Sequence, residues 1–92
     1  MIKGFRCKET EKVFRRERSR KFSNFCDVGL RKLLALHAAR ELRDLRVPPG
    51  NELEALKGDR AGQHSIRVNK QFRLCFVWKD GNAEDVEIVD YH

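Results

Sequence analysis

Gln63-His64-Ser65-Ile66-Arg67-Val68, then Asn69-Lys70, then Phe72-Arg73-Leu74-Cys75-Phe76-Val77-Trp78 is the stretch that decides the fold. Both halves alternate in polarity, the period of a half-buried strand. Asn69-Lys70 between them suits a tight two-residue loop, because Asn tolerates positive φ. Asp80-Gly81 is a second hairpin signal, and Val86 to Val89 supplies the next strand. Alternation then sorts the faces. Ile66, Val68, Leu74, Phe76, Val86 and Ile88 turn to the core, and Phe72 and Trp78 follow Leu74. Arg67, Arg73, Val89 and Tyr91 turn the other way, so the sheet is expected to present an uncovered cationic face. His64 falls on the core side.

Upstream, Leu53 to Leu56 reads as a short strand, and Lys57-Gly58-Asp59-Arg60-Ala61-Gly62 as a turn carrying two glycines. Pro48-Pro49-Gly50 stops any helix before it. Asn24 or Asp27 can cap a helix whose apolar positions are Cys26, Leu30, Leu33, Leu34, Ala38, Leu42 and Leu45, the spacing of one buried face. His37 lies beside that stripe. Lys8 to Glu17 predicts a shorter helix with Val13 and Phe14 as its strong apolar contacts, and Ile2 to Phe5 a first strand. Arg15, Arg16, Arg18, Arg20 and Lys21 form a basic run that suits a solvated loop, a phosphate contact or an acidic partner.

Ninety-two residues predict one domain, 1–92. The net charge is +6 with 37% charged residues, which points to a polyanion partner: nucleic acid, an anionic surface or an acidic protein. No apolar run reaches the length of a membrane span, and the N-terminus lacks an apolar signal core, so a cytoplasmic protein is expected. Cys7, Cys26 and Cys75 are odd in number and show no zinc spacing; reduced structural thiols and no metal site are expected.

The chain ends Asp90-Tyr91-His92. An acid, a phenol and an imidazole together suggest proton transfer, and a basic protein suggests a polyanion on which to perform it.

Leu42-Arg43-Asp44-Leu45, Pro48-Pro49-Gly50-Asn51, Leu56-Lys57-Gly58-Asp59-Arg60, His64-Ser65-Ile66-Arg67-Val68-Asn69, Arg73-Leu74-Cys75-Phe76 and Val86-Glu87-Ile88-Val89-Asp90-Tyr91-His92 resemble the HigB toxins, members of the RelE-like superfamily. The resemblance covers nearly the whole chain and is strongest from Leu42 onward. It implies an α+β RelE-like fold: an antiparallel-rich sheet with two helices packed on one face and a concave basic face opposite. It implies a type II toxin that cuts mRNA in the ribosomal A site without a metal or other cofactor. It implies a HigA-type antitoxin with a helix-turn-helix as partner, and operator DNA reached only through that complex. No membrane partner is implied.

By resemblance, Arg73 and Lys57 stabilise phosphate charge, and His92, Tyr91 and Asp90 form the acid–base group. Arg60, Arg67, His64 and Lys70 are placed with RNA or ribosome binding. The chain departs from the family at three points. Some relatives carry a histidine where this chain has Glu54, a residue that can still serve as a base. Relatives usually carry an acid and a tryptophan where this chain has Lys70 and Phe72. Two other readings belong to different classes: a ParE-like gyrase poison on the same fold, and a non-catalytic RNA-binding module. The module is disfavoured because the aromatic residues alternate toward the core rather than onto an exposed stacking surface.

Overall fold

β3 (Phe72–Lys79) and β4 (Asn82–Asp90) form the spine of a computed structural model that describes residues 1–23 and 26–90. Asp80 and Gly81 join them with φ of 52° and 77°, the two positive values that a type I′ turn requires. β2 (Gln63–Arg67) pairs antiparallel with β3, and the two-residue β1 (Glu54–Ala55) pairs with β2, giving the order β1-β2-β3-β4. β4 begins earlier than its apolar run predicted. Its register slips between Cys75↔Glu87 and Val77↔Glu84, a bulge with Asp85 at φ 51°. The N-terminal residues run parallel along the outer edge of β4, with Lys3 N–H on the Ala83 carbonyl (2.8 Å) and Arg6 N–H on the Val86 carbonyl (3.0 Å). That edge is thereby closed to other strands.

The β2–β3 connection is longer than the two-residue loop the sequence predicted. Val68 and Asn69 N–H both reach the Phe72 carbonyl, at 3.0 and 3.2 Å. Asn69 acts through its side chain rather than through positive φ: its Oδ1 accepts from Gln71 N–H (2.9 Å) and Phe72 N–H (2.8 Å).

Two helices cover one face of the sheet, α1 (Lys8–Phe14) and α2 (Cys26–Ala38). Val13, Leu33, Leu36, Ile66, Leu74, Phe76, Val86 and Ile88 form the core between them and the sheet. Each such side chain contributes roughly 1.5–3 kcal/mol by leaving water. Thr10 ties α1 to β4, its buried Oγ1 accepting from Ile88 N–H at 2.9 Å. α1 is shorter than expected because Arg16 turns to φ 62°, outside helical space. The basic run after it is anchored at two places: Ser19 donates to Glu9 Oε1 (3.0 Å), and Phe22 is fully buried edge-on against Phe72.

The long helix does not continue to Leu45. It stops at Ala38, and Leu42–Arg46 forms a separate 3₁₀ helix. Asp44 makes the break, since its carboxylate accepts Arg40 and Glu41 N–H, both at 3.0 Å, in place of helical carbonyls. The buried face of α2 is therefore Gly29, Leu33 and Leu36, while Cys26 and Ala38 are exposed and Leu34 is 40% exposed. Asp27 lies inside the helix rather than capping it, and Asn24 is outside the described residues. Among the described residues no helix is long and apolar enough to cross a membrane.

Candidate active site

Strand register builds the site. Arg67 lies directly opposite Arg73, and Arg73 opposite Val89, so these three share one rung on the face away from the helices. The adjacent rung on that face is Glu54, Ser65, Cys75 and Glu87. Two arginines facing one another destabilise a hairpin unless an anion lies between them. Glu52 supplies it. Its carboxylate stands 3.6 Å from Arg67 Nε and 3.8 Å from Arg73 Nη1.

Arg73 is fixed more tightly than Arg67. Its Nε donates to Ser65 Oγ at 2.7 Å, and Nη2 donates to the Glu52 and Ser65 carbonyls. Its side chain is 12% exposed, against 39% for Arg67. A guanidinium held on three acceptors is already oriented before any ligand arrives.

The turn Pro49–Asn51 sets Glu52 in place. Asn51 is fully buried, its Nδ2 donating to the Leu45 and Val47 carbonyls at 3.1 and 3.3 Å. Lys32 on α2 donates to Asn51 Oδ1 at 2.5 Å. Glu52 then turns to φ 47°, ψ 55°, left-handed backbone rare for a side chain of its kind. This turn brings the carbonyl to Arg73 and the carboxylate between Arg67 and Arg73. Burial first, then the positive charge of Arg31 and Arg67, pushes the Lys32 ammonium below its usual range.

The helix-free face is not uncovered, contrary to the expectation from alternation alone. Ser65 and Cys75 are fully buried there. Arg60 reaches over β3, its Nη1 donating to Glu87 Oε1 (2.8 Å) and Gln63 Oε1 (3.1 Å). Arg73 covers the next rung. Burial raises the Cys75 thiol above its ordinary value, with Arg60 and Arg73 opposing the shift in part.

The remaining sequence-predicted residues scatter. Glu54 is exposed beside Ser65, on the same face as Arg73. Lys57 is exposed early in the β1–β2 connection, just ahead of the 3₁₀ turn Gly58–Arg60. Lys70 is exposed at the hairpin tip. His64 takes the core side, as alternation predicts, stacked on Phe76 with ring centroids 6.3 Å apart. Asp90 ends β4 opposite Phe72, its Oδ2 accepting from Gln71 Nε2 at 2.9 Å. Tyr91 and His92 lie outside the described residues. Sequence reading passed over Glu52, Ser65 and Lys32 as site residues. Glu52 was within reach: extending the β1–β2 register by two residues sets it opposite Arg67.

A model of the HigB-like toxins, RelE-like toxins of type II toxin–antitoxin systems, matches residues 3–92. The chain belongs to the HigB family. It is 58% identical over 53 residues to Toxin HigB-1 of Vibrio cholerae serotype O1, a stretch covering 58% of this chain and 56% of that protein. It is 39% identical over 64 residues to an uncharacterized protein of Haemophilus influenzae, covering 70% of this chain and 63% of the relative. The matched stretches thus span under two-thirds of either relative. Among solved structures, a YoeB–YefM toxin–antitoxin heterotetramer from Staphylococcus aureus aligns with TM-score 0.58 at 17% identity, covering 100% of this chain and 98% of the other. A second YoeB–YefM complex from that organism aligns with TM-score 0.53 at 16% identity, with the same coverage. The chain therefore has the α+β RelE-like fold.

Proposed function

We propose that this member of the HigB family is a ribosome-dependent mRNA endoribonuclease. The observation that carries the reading is the Arg67–Arg73 pair: two guanidinia, one held rigidly by Ser65, converging on a single anion position. Such a fork suits the oxygens of a phosphodiester.

The reaction is transesterification. The ribose 2′-hydroxyl attacks the adjacent phosphorus, the 5′-oxygen leaves, and a 2′,3′-cyclic phosphate and a 5′-hydroxyl result. A base takes the 2′-hydroxyl proton and an acid returns one to the leaving oxygen. Charge builds on the phosphorane, and preorganised cations aimed at it are often the largest single contribution to rate. Arg73 takes that role, with Arg67 beside it and Lys57 binding phosphate from the loop. His92, flanked by Tyr91 and Asp90, is the proton-transfer group, since an imidazole can both give and take a proton near neutral pH. Glu54, on the face of Arg73, is a second base. Arg60, His64 and Lys70 belong to RNA and ribosome binding. The scheme calls for no cofactor.

The partners in this reading are mRNA in the A site of the 30S subunit and a HigA-type antitoxin with a helix-turn-helix. Operator DNA is reached through the antitoxin complex. The YoeB structures support an antitoxin partner, being complexes of that kind. The protein works in the cytoplasm.

Pulse-labelling after induction tests the class of activity. Amino-acid incorporation should stop before thymidine incorporation. The reverse order would replace this reading with a gyrase poison.

A further inference from the structure

The Glu52 carboxylate is held differently from the cations it meets. Arg73 is nearly buried and fixed by Ser65 at 2.7 Å, whereas the Glu52 side chain is 57% exposed and its carboxylate stands 3.6 and 3.8 Å from Arg67 and Arg73. The backbone of Glu52 is anchored by the buried Asn51 turn, and its carbonyl holds Arg73 independently of the side chain. The anion is thus held loosely against a rigidly held Arg73 and a more exposed Arg67.

We propose that Glu52 is a resident stand-in for an RNA phosphate. Its carboxylate occupies the position between Arg67 and Arg73 in the free protein and swings out when a phosphodiester enters. This rests on the nuclease reading above, because it takes the arginine pair to be a phosphate site. The exchange has two consequences. Glu52 relieves the repulsion between the facing arginines in the absence of RNA. It also screens the site against stray anions. A lone phosphate gains little by displacing a tethered carboxylate. A backbone already held elsewhere presents its phosphate at high effective concentration.

The test is binding of a 2′-O-methyl oligoribonucleotide, which cannot be cleaved, to the full chain. Glu52→Gln keeps the backbone carbonyl on Arg73 and removes the competing charge. Loosely held surface pairs of this kind correspond to a two- to fivefold gain in affinity, about the range expected for Glu52→Gln. The salt dependence should steepen by about 0.7 in logarithmic slope, the share of one phosphate contact on a single strand. Glu17→Gln, the same charge change on an exposed residue after α1, should change affinity much less. Arg67→Ala and Arg73→Ala, each checked for a folded melting transition, should weaken binding. If they weaken it while Glu52→Gln gains no more than Glu17→Gln, the stand-in role is wrong and the phosphate site survives. If a folded Arg67→Ala leaves binding intact, the phosphate site itself is wrong, and the stand-in role falls with it.

Discussion

Arg67 and Arg73 face one another directly across the β2–β3 hairpin, two positive charges on the face of the sheet that carries no helix. Three other residues make that arrangement tenable: Ser65 under Arg73, Glu52 between the pair, and Asn51 behind Glu52.

Replacing Arg73 with Ala removes the cation nearest the proposed phosphorane. Cleavage should fall by about 10²–10³-fold, the usual cost of one preorganised charge donor. Arg73→Lys keeps the charge but loses the fork and should recover activity only in part. Growth arrest at matched expression is the readout. A fully toxic Arg73→Ala variant excludes Arg73 from the chemistry.

Ser65→Ala leaves the charge in place and removes what aims it. Misplacing a catalytic group by about 1 Å costs roughly a hundredfold, so the rate should drop by about ten- to a hundredfold. Stability should fall by about 1.5–3 kcal/mol, the worth of one hydrogen bond to a charged group. Single-turnover cleavage and urea unfolding on the same preparation separate the two effects.

Asn51→Ala strands the Leu45 and Val47 carbonyls and the Lys32 ammonium. A loss of about 2–4 kcal/mol is expected for breaking a buried polar network of this size. Val47→Ala, at a residue 74% exposed, should stay within about 0.5 kcal/mol of the parent. Urea midpoints compared side by side check the contrast.

Cys75 governs part of the alkaline response. Burial favours its neutral thiol, so the folded state holds this proton more tightly than the unfolded chain does. The unfolded thiol titrates near about pH 8.5. The Cys75 contribution to stability is therefore constant below that pH and falls as pH rises above it. Cys75→Ala should flatten this decline between about pH 8.5 and 10, which urea unfolding across the range measures. An unchanged slope would show that the thiol does not carry it.

The strands and their faces were legible because the large side chains Ile66, Val68, Phe72, Leu74, Phe76 and Trp78 recur at every second position, with Arg67 and Arg73 between them. Asp80-Gly81 was legible because two positive φ values demand such a pair. The end of α2 was not legible. The apolar spacing runs on to Leu45, and only the local competition of the Asp44 carboxylate for backbone N–H groups breaks it at Ala38. Phe22 was hidden inside a basic run whose charge suggested a solvated loop, yet one aromatic ring outweighs that signal by burying itself on Phe72. At the site, Arg67 and Arg73 followed from parity. The covering of their face did not, because parity says which side a residue takes and nothing of how long side chains such as Arg60 fold across it. Asn51 stood in a recognised motif, but its role appears only once its amide is seen turned inward.

The most direct measurement is primer extension on a reporter mRNA in a purified translation system, with the parent chain and with Arg73→Ala, each with and without ribosomes. Cuts in phase with codons are expected from the parent only when ribosomes are present, and they should be lost in Arg73→Ala. Absence of cuts from folded parent protein, or an identical pattern from Arg73→Ala, would contradict the nuclease reading.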